Sequence, residues 1–444
     1  MNARIILALA LSLCAALGAR AQAAEPAVPV PSVTAYDKAT IVEQSDAQSA
    51  LVGTELFIQA GLDRQKPAQN GLAALVAEAV LGTPVGTASA TRVPLRDAVA
   101  AAGGSIAYNV DGRDVRFYLE GLKAGYASTL LPLLRDALAK PDFSEAALAR
   151  GRANLETKIA QNQRVALTVG IEMLNRTFYQ DSGAGLPEYG MPATLVNQMP
   201  QDAQAFYAAN YRRDRAVVSA VGDLRTVDVT AFRSLLDALP AGSSQAFTER
   251  TARLQGTSRE LVTHRDISAP WLVAQYPAPA LGSADFGPML VLTAFIQRTL
   301  ADVSELPTVA TKSFVDQGVG ALYNFDAQPA NVIVYVDGGL GDPTHTFSTA
   351  LTVVNVLGSS KLQGSIDDMK ASAAGAFVNG ATTLEDRAWL AGVFATQSTS
   401  PDYLNRAVGA IGKTSIADLQ RVARKYFGTP TIALVLPRSA PASN

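Results

Sequence analysis

Gly71-Leu72-Ala73-Ala74-Leu75-Val76-Ala77-Glu78-Ala79-Val80-Leu81-Gly82-Thr83 is the stretch on which the reading of this chain turns. Its alanines and aliphatic residues lie between two glycines, and Glu78 is its single charge. The pattern predicts an amphipathic helix closed by the Gly-Thr turn, with Glu78 at its polar edge. A short apolar strand, Leu56-Phe57-Ile58, precedes it.

The residues downstream extend this strand-then-helix start. Ile106, Tyr108 and Val110 alternate with other residues, as do Val115, Phe117 and Leu119, and Asp111-Gly112 lies between the two runs. That is a hairpin with one buried face. Leu130, Leu131, Leu134 and Leu138 then recur at helical spacing. Asp142-Phe143-Ser144 punctuates the chain before a second helix carrying Leu148, Leu155 and Ile159.

The pattern occurs twice. Met199 to Tyr211 reads as a helix ending in Tyr, followed by the apolar run Ala216 to Val221; Thr414 to Tyr426 and Thr431 to Leu436 repeat it. Trp271-Leu272-Val273 opens the second copy as Leu56-Phe57-Ile58 opens the first. Val332 to Val336 is read as a strand and Ser360 to Val378 as a helix. The expected class is α+β: two homologous α/β-sandwich domains, each an antiparallel-rich sheet with helices on one face. The domains are placed at residues 24–240 and 259–440, joined by a polar Gly/Ser-containing linker over 241–258.

Ahead of the first domain, Arg4 is followed by a continuous apolar run from Ile5 to Leu17, too short to span a bilayer, and then by Ala21-Gln22-Ala23. These features are read as a signal peptide over residues 1–23, with export to the periplasm expected. Cys14, the only cysteine, falls inside it, so no disulfide or thiolate metal site is expected beyond it. The 37 basic and 39 acidic residues leave a formal charge of −2, which gives no footprint for nucleic acid. No other run is apolar enough to predict a membrane span.

The chain is poor in residues for chemistry. It has two histidines, His264 before the first strand of the second copy and His345 in a Gly-Asp-Pro-Thr loop, and neither has a partner at zinc-ligand spacing. There is no G-x-S-x-G elbow and no P-loop. Either histidine acting alone as a general base would make a hydrolase with an unrelated site.

Taken in order, Ala60-Gly61, Gly71-Leu72-Ala73, Gly103-Gly104-Ser105, Lys140 to Ser144, Tyr211, Val221-Gly222-Asp223, Gly320 to Tyr323 and the helix around Lys370 resemble the insulinase-like (pitrilysin-type) zinc peptidases. The match is to their short, two-domain bacterial class, related to the mitochondrial processing peptidase subunits. The resemblance implies a helix bearing His-x-x-Glu-His, two histidines binding zinc and the glutamate activating water. Those positions fall here on Ala74, Ala77 and Glu78, so no catalytic residue and no bound zinc are expected in this chain. Glu156 lies in the region of the family's third ligand and is read as a surface residue. The family's substrate-binding Arg and Tyr correspond to Asp316 and Tyr323, so Tyr323 alone is a candidate substrate contact.

The resemblance also implies a partner. Such peptidases work as paired chains, one with zinc and one without, around a chamber for peptides or unfolded protein. A non-catalytic subunit of such a pair is therefore expected, its partner being a homologous zinc-bearing subunit. The alternative is a stand-alone peptide- or protein-binding scaffold.

Overall fold

The computed structural model describes residues 29–86, 92–180, 182–242, 259–304, 318–340, 342–355, 366–398 and 400–438. The stretch read as a signal peptide, most of the one read as a linker (243–258) and Asp316 lie outside the described residues.

The first sheet begins earlier than the sequence reading placed it. β1 (Ser32–Tyr36) and β2 (Ala39–Ser45) form a hairpin whose reversal sits on Asp37 and Lys38, at φ 44° and 67°. A turn with two positive φ values matches the twist of the strands it joins. Neither residue is the glycine that would have flagged it. β3 (Leu51–Ile58) follows, then a two-residue ladder of β4 (Pro84–Val85) with β5 (Val93–Pro94). β6 (Gly104–Val110) and β7 (Val115–Leu122) form the expected hairpin, with Tyr108 opposite Phe117 and Val110 opposite Val115. β8 (Val217–Gly222) completes a six-stranded sheet ordered β1-β2-β8-β3-β7-β6.

The second half builds a five-stranded sheet from β9 (Arg259–Arg265), β10 (Trp271–Pro277), β11 (Val319–Asn324), β12 (Asn331–Asp337) and β13 (Thr431–Pro437). Its order, β9-β13-β10-β12-β11, repeats β2-β8-β3-β7-β6 strand for strand. The polarity repeats as well. β2–β8 and β9–β13 are the parallel pairs, and the other neighbours are antiparallel. The duplication is therefore topological, and among the described residues β1 has no counterpart in the second half.

Pro31 onward forms one compact unit. One face of each sheet carries that half's own core. In the first, Leu56, Ile58, Phe117 and Leu119 pack with Leu75, Leu134 and Leu155. In the second, Leu272, Ala274 and Tyr276 pack with Met289, Leu292 and Ile296. The other faces are covered reciprocally. The helix Ala166–Phe178 of the first half lies on β10 and β13. The helix Leu384–Gln397 of the second lies on β3 and β8. Each approach needs a glycine: a Cβ on Gly170 would fall 2.6 Å from Val273 Cγ2, and one on Gly392 would fall 2.1 Å from the Phe57 ring. Polar contacts fix both helices. Gln275 donates to Asn175 at 3.0 Å, and buried Arg387 reaches Gln44 at 3.1 Å and Asp46 at 2.8 Å.

Two local readings are corrected. His264 lies inside the edge strand β9 rather than before the first strand of its half, because β9 pairs in parallel with β13. His345 sits in the first turn of the helix Pro343–Asn355 rather than in a loop, Pro343 being well suited to a helix start. Of the helix read over Ser360 to Val378, Ile366 onward is helical, within the helix Ile366–Asn379, and 360–365 lie outside the described residues. Both histidines are exposed.

Candidate functional site

The helix quoted at the outset spans Leu72–Leu81 and starts at Gly71, whose φ of 95° is a left-handed conformation open to glycine. It is not amphipathic. All ten of its residues are buried, including Glu78. A helix covered on every side has no polar edge. Here the covering elements are β6 and β7, the helix Glu145–Asn162 and the helix Pro200–Asn210. Gly151 lets the second of these come close, since a Cβ there would meet Leu75 Cδ1 at 3.0 Å and Glu78 Cβ at 3.3 Å.

A carboxylate in that position must be matched by donors. Lys158 Nζ donates to Glu78 Oε1 at 2.9 Å and Tyr108 Oη donates to the same oxygen at 3.0 Å. Arg96 and Asn154 donate to Oε2 at 3.2 and 3.0 Å. Asn154 and Lys158, four residues apart, present one helix face. Burial works to raise the pKa of Glu78, but Lys158, Asn154 and Arg96 together outweigh it and hold the group below the usual carboxylate range. Burial, reinforced by the charge on Glu78, pushes the Tyr108 hydroxyl well up, so it remains a donor. The Lys158 ammonium also lies 4.2 Å from the centroid of the Tyr108 ring and 5.1 Å from that of Tyr189. Beside this network opens a pocket of about 420 Å³, bordered by Ile106, Ala107 and Tyr108 of the edge strand β6.

The description "Insulinase (Peptidase family M16)" matches residues 40–190, and "Peptidase M16 inactive domain" matches residues 199–322. The chain belongs to the insulinase family. Solved structures share its fold at low identity. An M16 inactive domain protein from Pseudomonas fluorescens aligns with a TM-score of 0.75 and 16% identity, over 93% of this chain and 100% of that one. A protease from Helicobacter pylori gives 0.73 and 16%, over 92% and 100%. A chain of complex III2 from Candida albicans gives 0.69 and 13%, over 91% and 95%. No curated protein matches the sequence.

The zinc of this family's peptidases finds no fit at the aligned positions. Ala74 and Ala77 present methyl groups in a sealed core. Both oxygens of Glu78 are already held by side-chain donors, two of them cationic. Among the described residues no group of three or more His, Cys, Asp and Glu could hold a metal ion. Glu156 is exposed on its helix.

Tyr323 lies on β11, the edge strand of the second sheet opposite β9. Its hydroxyl donates to the Pro279 carbonyl, and its ring packs with Phe286 and Phe325. A substrate contact through that hydroxyl would have to displace Pro279. The sequence reading overlooked Tyr108, Arg96, Asn154 and Lys158. One signal was present: Lys158 lies seven residues after Gly151 and three after Leu155, on the buried stripe of its helix. A lone charge on such a stripe calls for a buried partner of opposite sign.

Proposed function

We propose that this chain is the non-catalytic subunit of an insulinase-type peptidase of the cell envelope. It pairs with a zinc-bearing homologue and binds peptides or unfolded protein for that partner to cleave. The observation that carries this reading is the neutralised Glu78. Where the family's active members hold a metal, this chain holds an ammonium, a guanidinium, an amide and a phenol around one carboxylate. No group there can activate water. The edge strand β6 leaves backbone groups beside the site, and a peptide can add to such an edge without any catalytic residue. The fold's occurrence as a chain of complex III2 supports a role within an assembly. The apolar leader over residues 1–23 supports export to the periplasm.

The test is a binding and cleavage assay on the pure chain without its leader. Fluorescent unstructured peptides should bind and remain intact, with no zinc recovered per chain by elemental analysis. Chelator-sensitive cleavage by the pure chain would overturn the reading.

A further inference from the structure

The pocket beside Glu78 carries more positive charge than its one carboxylate balances. Arg96 and Lys158 both pair with Glu78, yet their side chains are 47% and 32% exposed while that of Glu78 is 1% exposed. An ammonium has three N–H donors and a guanidinium five. Lys158 spends two, on Glu78 Oε1 and on the Tyr108 hydroxyl oxygen, and Arg96 spends one on Glu78 Oε2. Among the described residues Glu78 is the only carboxylate lining the pocket, and Asn154 and Thr157 add neutral polar groups.

Both cations converge on Glu78. Arg96 and Lys158 touch opposite oxygens of that one carboxylate, at 3.2 and 2.9 Å, and both line the pocket. A second carboxylate approaching from the pocket can therefore engage both, and the planar guanidinium suits that shape. The wall formed by Ile106, Ala107 and Tyr108 belongs to β6, where an extended peptide would pair.

We propose that this pocket binds the carboxylate of a peptide laid along β6, an inference that rests on the peptide-binding reading above. The anion is either a peptide C-terminus or the side chain of Asp or Glu. The pocket thus selects acidic or C-terminal segments of the bound chain.

The experiment uses one fluorescently labelled, unstructured peptide in three forms: C-terminal amide with no acidic residue, free C-terminus, and amide with one internal Glu. Affinities are measured by anisotropy for the native chain and for Arg96→Gln. One or both carboxylate forms should bind about tenfold tighter than the neutral amide, a gap of ~1.4 kcal/mol. That gap should shrink at high salt and close in Arg96→Gln, whose thermal midpoint should stay near native because Arg96 is half exposed. A preference for the free terminus assigns the anion to the peptide end, and a preference for the internal Glu assigns it to a side chain. Equal binding of all three forms would overturn the carboxylate pocket and leave peptide binding standing. So would a tenfold gap that persists in Arg96→Gln. Failure of every form to bind would overturn both.

Discussion

The Lys158 ammonium lies 2.9 Å from Oε1 of Glu78 and 3.0 Å from the Tyr108 hydroxyl that shares that oxygen. A positive charge therefore stands beside the helix position at which the family's peptidases bind their metal ion. The carboxylate is buried, so the pairing is a condition of folding.

Lys158→Met should destabilise the chain by about 1–3 kcal/mol, measured by urea unfolding. Removing one partner leaves part of a buried charge uncompensated. The loss stays below the extreme because Lys158 is partly exposed and Arg96, Asn154 and Tyr108 remain. Adding Glu78→Gln should recover part of it, since the double variant has no buried carboxylate left to strand and Arg96 is half exposed. A double variant no more stable than Lys158→Met would argue against a specific pairing.

The pH dependence should carry two opposite contributions. Glu78 titrates below its ordinary value, so its stabilisation is present above the unfolded carboxylate range and is lost as pH falls through the folded value. Glu55 behaves the other way. Burial lifts it to about 7 from 4.5, against the pull of Arg116, and among the described residues its Oε2 is buried without a hydrogen-bond partner. It holds its proton longer folded than unfolded, so stability falls as pH rises from about 4.5 to about 7. Glu55→Gln should flatten that part of the profile and raise stability at pH 8 by about 1–3 kcal/mol. An unchanged slope between those pH values would refute the assignment.

Much of the fold was legible because alternation and helical spacing report directly on burial. The hairpin at Asp111-Gly112 and the repeated helix-then-strand endings are of this kind. The β1–β2 turn was not, because Asp37 and Lys38 adopt positive φ without a glycine to signal it. Nor was the total burial of Leu72–Leu81. Burial of a helix's second face depends on which distant element packs there, and here helices more than sixty residues downstream close over it. Of the candidate site, Ala74, Ala77 and Glu78 were legible as positions on one helix. The network around Glu78 was not, because it depends on contacts with Lys158 that only the fold brings together.

The reciprocal covering helices predict one cooperative unfolding transition for both halves. Gly392→Val should lower stability by about 2–3 kcal/mol through overpacking against Phe57. Calorimetry should show that single transition moved to lower temperature as a whole. Two separated transitions in the native chain would contradict the mutual covering.

Stripping divalent metal should leave the pure chain unaffected. A site already filled by side-chain donors has no binding energy to lose, so the thermal midpoint should be the same with chelator as with added zinc. A rise of several degrees on adding zinc would reveal a metal site.

The most direct test of the central claim is affinity capture of the tagged chain from its native envelope extract, read by mass spectrometry. The account predicts stoichiometric recovery of a homologue bearing His-x-x-Glu-His, together with chelator-sensitive peptidase activity absent from the tagged chain alone. Recovery of the chain without any such homologue would contradict it.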